Sequence, residues 1–254
     1  MGLRWSSLLL CLAVGGCASK PPAPPAPPPV VKAPPVSLQG RLQAAGLNLG
    51  DPVFMRIFKE EAQLEVWMQQ QDGRYKLFRS YPICKYSGDL GPKQREGDKQ
   101  SPEGFYYVTL DRMNPNSQFY LSFNLGFPNA YDRAHGYTGS ALMVHGDCVS
   151  IGCYAMTDRQ IQEIYTLAEA ALKNGQPYFR VHAFPFRLTP HNLARHKNSP
   201  WFSFWANLKE GYDYFEQHKL PPEVYVEGLA YRFAPSAPTA RVAARSAKAD
   251  GSAN

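Results

Sequence analysis

The stretch VHGDCVSIGCYAMTD, residues 144–158, decides how the rest of the chain is read. It brings His145, Gly146, Cys148, Gly152 and Cys153 close together in sequence. A thiol attacks as thiolate, and a neighbouring imidazole is the usual group that takes its proton. The apolar run of Ala141, Leu142, Met143 and Val144 predicts a buried strand that ends by presenting His145. Thr157, with Gln160 three residues later, predicts a capped helix start. Ile161, Ile164, Tyr165, Ala168, Ala171 and Leu172 succeed it at helical spacing, and Asn174 with Gly175 closes the helix. A strand, a glycine-bearing loop and a helix therefore succeed one another. Gly152 lets backbone approach a ligand closely, and the amides of Gly152 and Cys153 suit the negative charge of an acyl-transfer intermediate.

Upstream, residues 53–59, 64–68 and 75–83 are β-branched and aromatic, with Asp72 and Gly73 as a hairpin signal between the last two. The polar segment 88–104, GDLGPKQREGDKQSPEG, has the length of a functional or mobile loop. Strands at 105–110 and 119–124 are expected next. A second polar loop, 126–140, carries Asn129, Asp132, Arg133, His135 and Tyr137 into the central strand, and its Arg133, His135 and Tyr137 are candidate substrate contacts. Downstream, residues 178–184 read as a strand with His182 opposite in facing to Val181. Pro190 and Pro200 each come directly after a capping residue. The second opens a helix whose Trp201, Phe204, Trp205, Leu208, Tyr212 and Phe215 are read as core rather than as a cofactor box. Residues 224–226 suggest a short last strand.

The ends differ from this globular middle. Residues 1–17 combine Arg4, an apolar run and small residues before Cys17, which reads as a lipoprotein signal ending at a lipidated cysteine. Residues 18–50 are assigned to a Pro-rich tether whose fifteen-residue proline-alanine part would reach about 45 Å. Residues 51–186 form the expected catalytic domain, 187–233 an aromatic helical extension and 234–254 a disordered tail. The net charge of +6 is too modest for a nucleic-acid partner without a basic helix or an RNA-binding motif. P-loop, dinucleotide and HExxH patterns are missing from the sequence. No cofactor or metal is implied: His145, Cys148, Cys153 and His182 offer zinc-compatible atoms but no CxxC pair. Cys148 is either a second nucleophile candidate or a disulfide partner for Cys84.

Ser150, Ile151, Gly152 and Cys153 resemble the Ser-His-Gly-Cys signature of the L,D-transpeptidase catalytic domain, the YkuD-like family, and Val144-His145-Gly146 resembles its upstream His-Gly element. GDKQSPEGFY, residues 97–106, is similar to its Gly-Asp followed by Thr-Pro-x-Gly-x-Phe/Tyr. The resemblance implies a mixed, β-rich α/β fold: a YkuD-like β-sandwich with a capping helix and a C-terminal helical extension. It implies Cys153 as nucleophile, His145 as base, the Gly146 carbonyl as its orienting partner, the amides of Gly152 and Cys153 as oxyanion donors, and Ser150 at the substrate side. Its substrates are peptidoglycan stem peptides. Three departures stand out: Ile151 replaces the signature histidine, Ala155 replaces an arginine, and the interval from His145 to Ser150 is short. The shortened pattern resembles a subgroup that cleaves between meso-diaminopimelate and the terminal lysine of Braun's lipoprotein. That reading implies a periplasmic enzyme anchored by lipid to the outer membrane, with the wall-bound lipoprotein as partner. Crosslinking or exchange of stem peptides is the alternative activity. A papain-like wall endopeptidase with His182 as base and a non-catalytic wall-binding lipoprotein are the remaining ones.

Overall fold

The computed structural model describes residues 37–236 and Gly2. The chain separates into two units, 1–35 and 36–254, and every described helix and strand belongs to the second. Cys17, the signal segment and the proline-rich run of the tether lie outside the described residues, as does the tail from residue 237.

The described chain begins earlier than the expected boundary at Asp51. Residues 38–45 form helix α1 (Leu38–Ala45), with the Ser37 side chain accepting the Gly40 amide at 3.1 Å and Gly46 closing it at φ 71°. Leu42 and Leu47 are buried in the core, so residues 37–50 are part of the fold and not of a tether. Then come β1 (Val53–Phe58), β2 (Gln63–Gln69), β3 (Tyr75–Pro82), β4 (Gly104–Val108), β5 (Met113–Ser117) and β6 (Tyr120–Asn124). A short helix α2 (Ala130–Ala134) is next, then β7 (Met143–His145), β8 (Tyr154–Ala155) and the long helix α3 (Asp158–Lys173). The chain ends with β9 (Phe179–Phe184), α4 (Pro190–Arg195), α5 (Phe202–His218) and the hairpin β10 (Glu223–Glu227) and β11 (Ala230–Ala234).

The strands make a five-stranded sheet in the order β3-β2-β1-β9-β4, a four-stranded sheet in the order β5-β6-β7-β8, and the separate β10-β11 pair. Strand β1, VFMRIF, is buried along its whole length because β2 runs antiparallel on one side and β9 parallel on the other. Its alternate residues point to two cores. Val53, Met55 and Ile57 face a core shared with Phe123 and Val144 of the second sheet and with Ile161, Ile164 and Ala168 of α3. Phe58 faces Phe105, Phe184, Trp205, Leu208 and Tyr212, so the aromatic face of α5 covers the other side of the sheet. The fold is therefore the expected mixed α/β arrangement.

Segment 88–104 is well pinned. Lys59 Nζ, fully buried at the end of β1, donates to the carbonyls of Asp89 (2.7 Å), Gly91 (3.1 Å) and Ser101 (3.1 Å) and to Glu103 Oε1 (3.0 Å). Asp98 accepts the amides of Gln94, Arg95 and Gln100 and the Lys93 ammonium. Burial raises the Asp98 carboxyl, but these donors outweigh burial and bring it down to about 2. A single half-buried carboxylate can hold this many polar groups because hydrogen bonds to an ionised acceptor are stronger than those to a neutral one.

Candidate active site

Strand β7 ends on His145, whose ring is buried against Phe119 at 4.7 Å between centroids. Its Nδ1 lies 2.6 Å from the Gly146 carbonyl. A carbonyl only accepts, so Nδ1 carries the hydrogen and Nε2 keeps a lone pair. Gly146 is held in turn: its amide donates to the carbonyls of Phe119 (3.0 Å) and Leu121 (3.2 Å). A Cβ there would sit 2.6 Å from Asp158 Oδ1 and 2.9 Å from the Phe119 carbonyl, which leaves glycine as the residue that fits.

The loop from His145 to Cys153 is short and tightly bent. Asp147 (φ 64°) and Cys148 (φ 50°) occupy left-handed backbone, as does Ala141 (φ 54°) just upstream, and Gly152 has φ 138°. Non-glycine residues adopt such angles only where surroundings hold them, and they concentrate at functional sites. Here the Asp147 amide donates to Asp158 Oδ1 at 2.9 Å, and a disulfide joins Cys148 to Cys84 across a Cα separation of 5.3 Å. Cys84 itself donates its amide to the Ala155 carbonyl at 2.9 Å, so the bridge anchors the loop to the end of the second sheet. With Cys148 in that bridge, the second nucleophile candidate and the zinc set are both withdrawn, and Cys153 is the free thiol of the described residues.

Cys153 is half-buried. Its Sγ accepts the Met143 amide at 3.4 Å and donates toward the Ala141 carbonyl at 3.7 Å. Burial pushes the thiol above its ordinary range, against the opposing pull of the Met143 amide and Lys93. Burial lowers His145 below the ordinary imidazole range, against the Gly146 carbonyl and Asp147. Both groups are thus neutral at rest, a thiol and an imidazole rather than an ion pair. They line one cleft of about 440 Å³ together with Met143, Asn114, Asn116 and Ser117 of β5, and Gln118 and Phe119 of the turn that follows it.

Other candidates fall elsewhere. The Ser150 hydroxyl donates to the Cys153 carbonyl at 2.7 Å and accepts the Gly152 amide at 3.3 Å, so it shapes the turn and does not line the cleft. The Ser101 hydroxyl supports the same carbonyl at 3.1 Å. Arg133 on α2 donates to the Pro128 carbonyl and lines a different cavity beside Tyr106 and Arg112. His135 stacks on Tyr131 at 4.0 Å, and the Tyr137 hydroxyl accepts from Gln94 at 3.4 Å. None of these three lines the Cys153 cleft. His182 lies on the other sheet, buried between Phe54 and Phe105, which removes it as the base of a papain-like arrangement. Two of the three departures acquire a cause. Ala155 is fully buried in β8, where no guanidinium has room, and Ile151 is 83% exposed on the loop, outside the residues lining the cleft. Strand β5 was missed by sequence reasoning because Asn114-Pro115-Asn116-Ser117 reads as a turn; the structure makes it an irregular strand whose register shifts between Asn114 and Ser117.

Comparison with known proteins gives the family. The family model described as YkuD, L,D-transpeptidase catalytic domain, matches residues 56–177. The Escherichia coli K12 protein named "Putative L,D-transpeptidase YafK" is 55% identical over 183 residues, covering 72% of this chain and 74% of that one. The chain belongs to the L,D-transpeptidase family. Among solved structures, the helical cell shape determining protein Pgp2 of Campylobacter jejuni is 17% identical at a TM-score of 0.42, covering 78% of this chain and 83% of that one. A single-residue variant of Pgp2 is 20% identical at 0.43, covering 67% of this chain and 60% of that one. Within the L,D-transpeptidase match lie β7, the strained loop and the whole of α3, the elements that place His145 and Cys153.

Proposed function

We propose that this L,D-transpeptidase-family chain is a cysteine acyl-transfer enzyme of the cell wall that opens an amide at meso-diaminopimelate through a thioester and hydrolyses it, releasing wall-bound lipoprotein. The observation that carries the reading is the shared cleft: a free thiol at Cys153 and an imidazole at His145 fixed by the Gly146 carbonyl at 2.6 Å. In the first half-reaction His145 Nε2 takes the thiol proton as Sγ attacks the carbonyl carbon. The amides of Gly152 and Cys153 receive the negative oxygen, and the long 3.3 Å bond from the Gly152 amide to Ser150 is weak enough to be exchanged for it. His145 then returns the proton to the leaving amine, and the carbon–nitrogen bond breaks. In the second half-reaction His145 removes a proton from water, which attacks the thioester; a carboxylic acid leaves and the thiol is restored. The half-exposed sulfur and the uncharged amide rim of Asn114, Asn116 and Gln118 suit a polar peptide chain. Cys17 as the lipid anchor and residues 18–36 as the tether would put the enzyme in the periplasm at the outer membrane.

The test is incubation of the purified chain, with and without Cys153→Ala, with sacculi that still carry covalently bound lipoprotein. Release of lipoprotein by the parent alone supports the amidase. New crosslinks or exchanged terminal residues would replace water by an amine as acceptor and make the enzyme a transpeptidase. Equal activity of Cys153→Ala and parent would remove the thioester altogether.

A further inference from the structure

A second cavity, sharing no residue with the Cys153 cleft, opens where the β10-β11 hairpin leans over the edge formed by β4 and β9. Its volume is about 290 Å³, near the lower end of ligand sites at roughly 300 Å³, enough for one or two small rings. Tyr107, Tyr178 and Tyr225 line it, and Tyr107 and Tyr225 are about half exposed (50% and 53%). The rings of Tyr107 and Tyr178 lie 5.5 Å apart. Arg180 forms an ion pair with Glu223 at 2.5 Å and also bonds the Tyr178 hydroxyl at 3.2 Å. His182 completes the lining; it is 1% exposed, and neither ring nitrogen has a hydrogen-bond partner.

An unpartnered buried imidazole costs free energy and calls for an explanation, and a ligand that bonds it is the simplest one. Burial, with Arg180 and Arg56 nearby, pushes His182 well below the ordinary imidazole range, so it is neutral. A neutral imidazole offers one donor and one acceptor, which is what a hydroxyl group matches. The cavity's two charges are paired with each other, so it presents no net charge to attract an ion. Exposed tyrosine rings beside planar polar groups fit a ligand with an apolar face and a hydroxylated edge.

We propose that this cavity binds a neutral carbohydrate, a sugar unit of the glycan strand, with its apolar face on Tyr225 and Tyr107 and its hydroxyls toward Arg180, Glu223 and His182. The choice of glycan rests on the proposed cell-wall function, since the strand carries the stem peptides that the Cys153 cleft would take. Held there, the strand would raise the local concentration of stem peptide at the thiol.

The test is calorimetric titration of the full chain with N-acetylglucosamine tetramer and with wall disaccharide stripped of stem peptide, using maltotetraose as control, while the His182 ring signals are tracked by NMR. Saturable binding of the wall sugars, at least tenfold tighter than maltotetraose, with shifted His182 signals, is expected. Tyr225→Ala, at an exposed position, and Glu223→Gln, at a half-buried one, should each weaken it at least tenfold and leave the rate of Cys153 alkylation unchanged. The proposal is overturned if neither wall sugar binds, if binding survives both substitutions, or if maltotetraose binds equally well. Wall turnover without sugar binding would remove this site alone; sugar binding without Cys153-dependent turnover would remove the proposed reaction alone.

Discussion

Lys59→Met tests whether the loop beneath Cys153 is held by one buried ion pair. Lys59 and Glu103 are both fully buried, with Nζ 3.0 Å from Oε1. Glu103 also accepts the Gly91 amide at 2.7 Å and Trp205 Nε1 at 2.8 Å, tying segment 88–104 to helix α5. Removing one partner of a buried pair costs about 3–5 kcal/mol because the other charge stays behind. The carbonyls of Asp89 and Gly91 keep a second donor in Gln100 Nε2, whereas that of Ser101 loses the donor it has, adding about 1–3 kcal/mol if it stays dry. A loss of about 5 kcal/mol is therefore expected, lowering Tm by ~10–20 °C for a folded unit of this size. Ser101 also supports the Cys153 carbonyl, so alkylation of Cys153 should change as well. Urea unfolding monitored by tryptophan fluorescence measures the loss, and the double variant Lys59→Met/Glu103→Gln should recover part of it. A single variant within about 1 kcal/mol of the parent would refute the reasoning.

Three further outcomes are expected. Because the Cys153 thiol is raised by burial and His145 is lowered, iodoacetamide alkylation should climb about tenfold per pH unit from 7 to 9 without a low-pH plateau; a plateau near pH 6 would reveal a preformed ion pair. Replacing Cys84 and Cys148 by serine opens a link spanning 64 residues and should cost about 4 kcal/mol by chain entropy, with faster proteolysis at the 146–152 loop; unchanged stability in calorimetry would contradict this. Burial raises Asp132 to about 6 from 3.8, so its penalty is absent below pH 3.8, grows as pH rises from there to about 6 and is fully present above it. Asp132→Asn should accordingly be more stable than the parent at pH 8, by up to about 3 kcal/mol, and equal to it near pH 3.5, as read by thermal unfolding at both pH values.

Legibility in the sequence tracks the strength of local signals. The Thr157 start and the stripe of α3 were readable because burial imposes a period on residue type, and both are found; of the expected buried strand at 141–144 only Met143 and Val144 are in β7, Ala141 being exposed in left-handed backbone. His145 and the thiols of Cys148 and Cys153 were readable as candidates because residue type and spacing restrict the chemistry, and the family resemblance singled out Cys153; the neutrality of the pair depends on burial contributed by distant segments such as Phe119. Helix α1 was hidden because its flanking proline and alanine match a tether, and its one apolar anchor, Leu42, gains meaning only against the core. Arg133, His135 and Tyr137 misled for the opposite reason: polar residues in a loop look available, yet α2 turns two of them onto ring contacts and a carbonyl.

The same contrast explains how a short, disulfide-tied loop can replace the longer family interval. A long loop between base and nucleophile can carry its own side chains to the site, but here the backbone has no length to spare. Position is instead fixed by backbone atoms: the Gly146 carbonyl on Nδ1, the Met143 amide on Sγ, and the Cys153 carbonyl on Ser150 and Ser101. Backbone bonds orient the pair without adding a full charge, and burial outweighs their pull toward the ionised forms, so the thiol and the imidazole both stay neutral in the resting cleft. In the proposed reaction charge separates only as the thiol attacks, and the donors that matter then are those facing the new oxyanion. For the proposed thioester, selectivity between water and an amine is expected at the uncharged rim of β5-β6, where Asn114, Asn116 and Gln118 line the cleft beside Cys153.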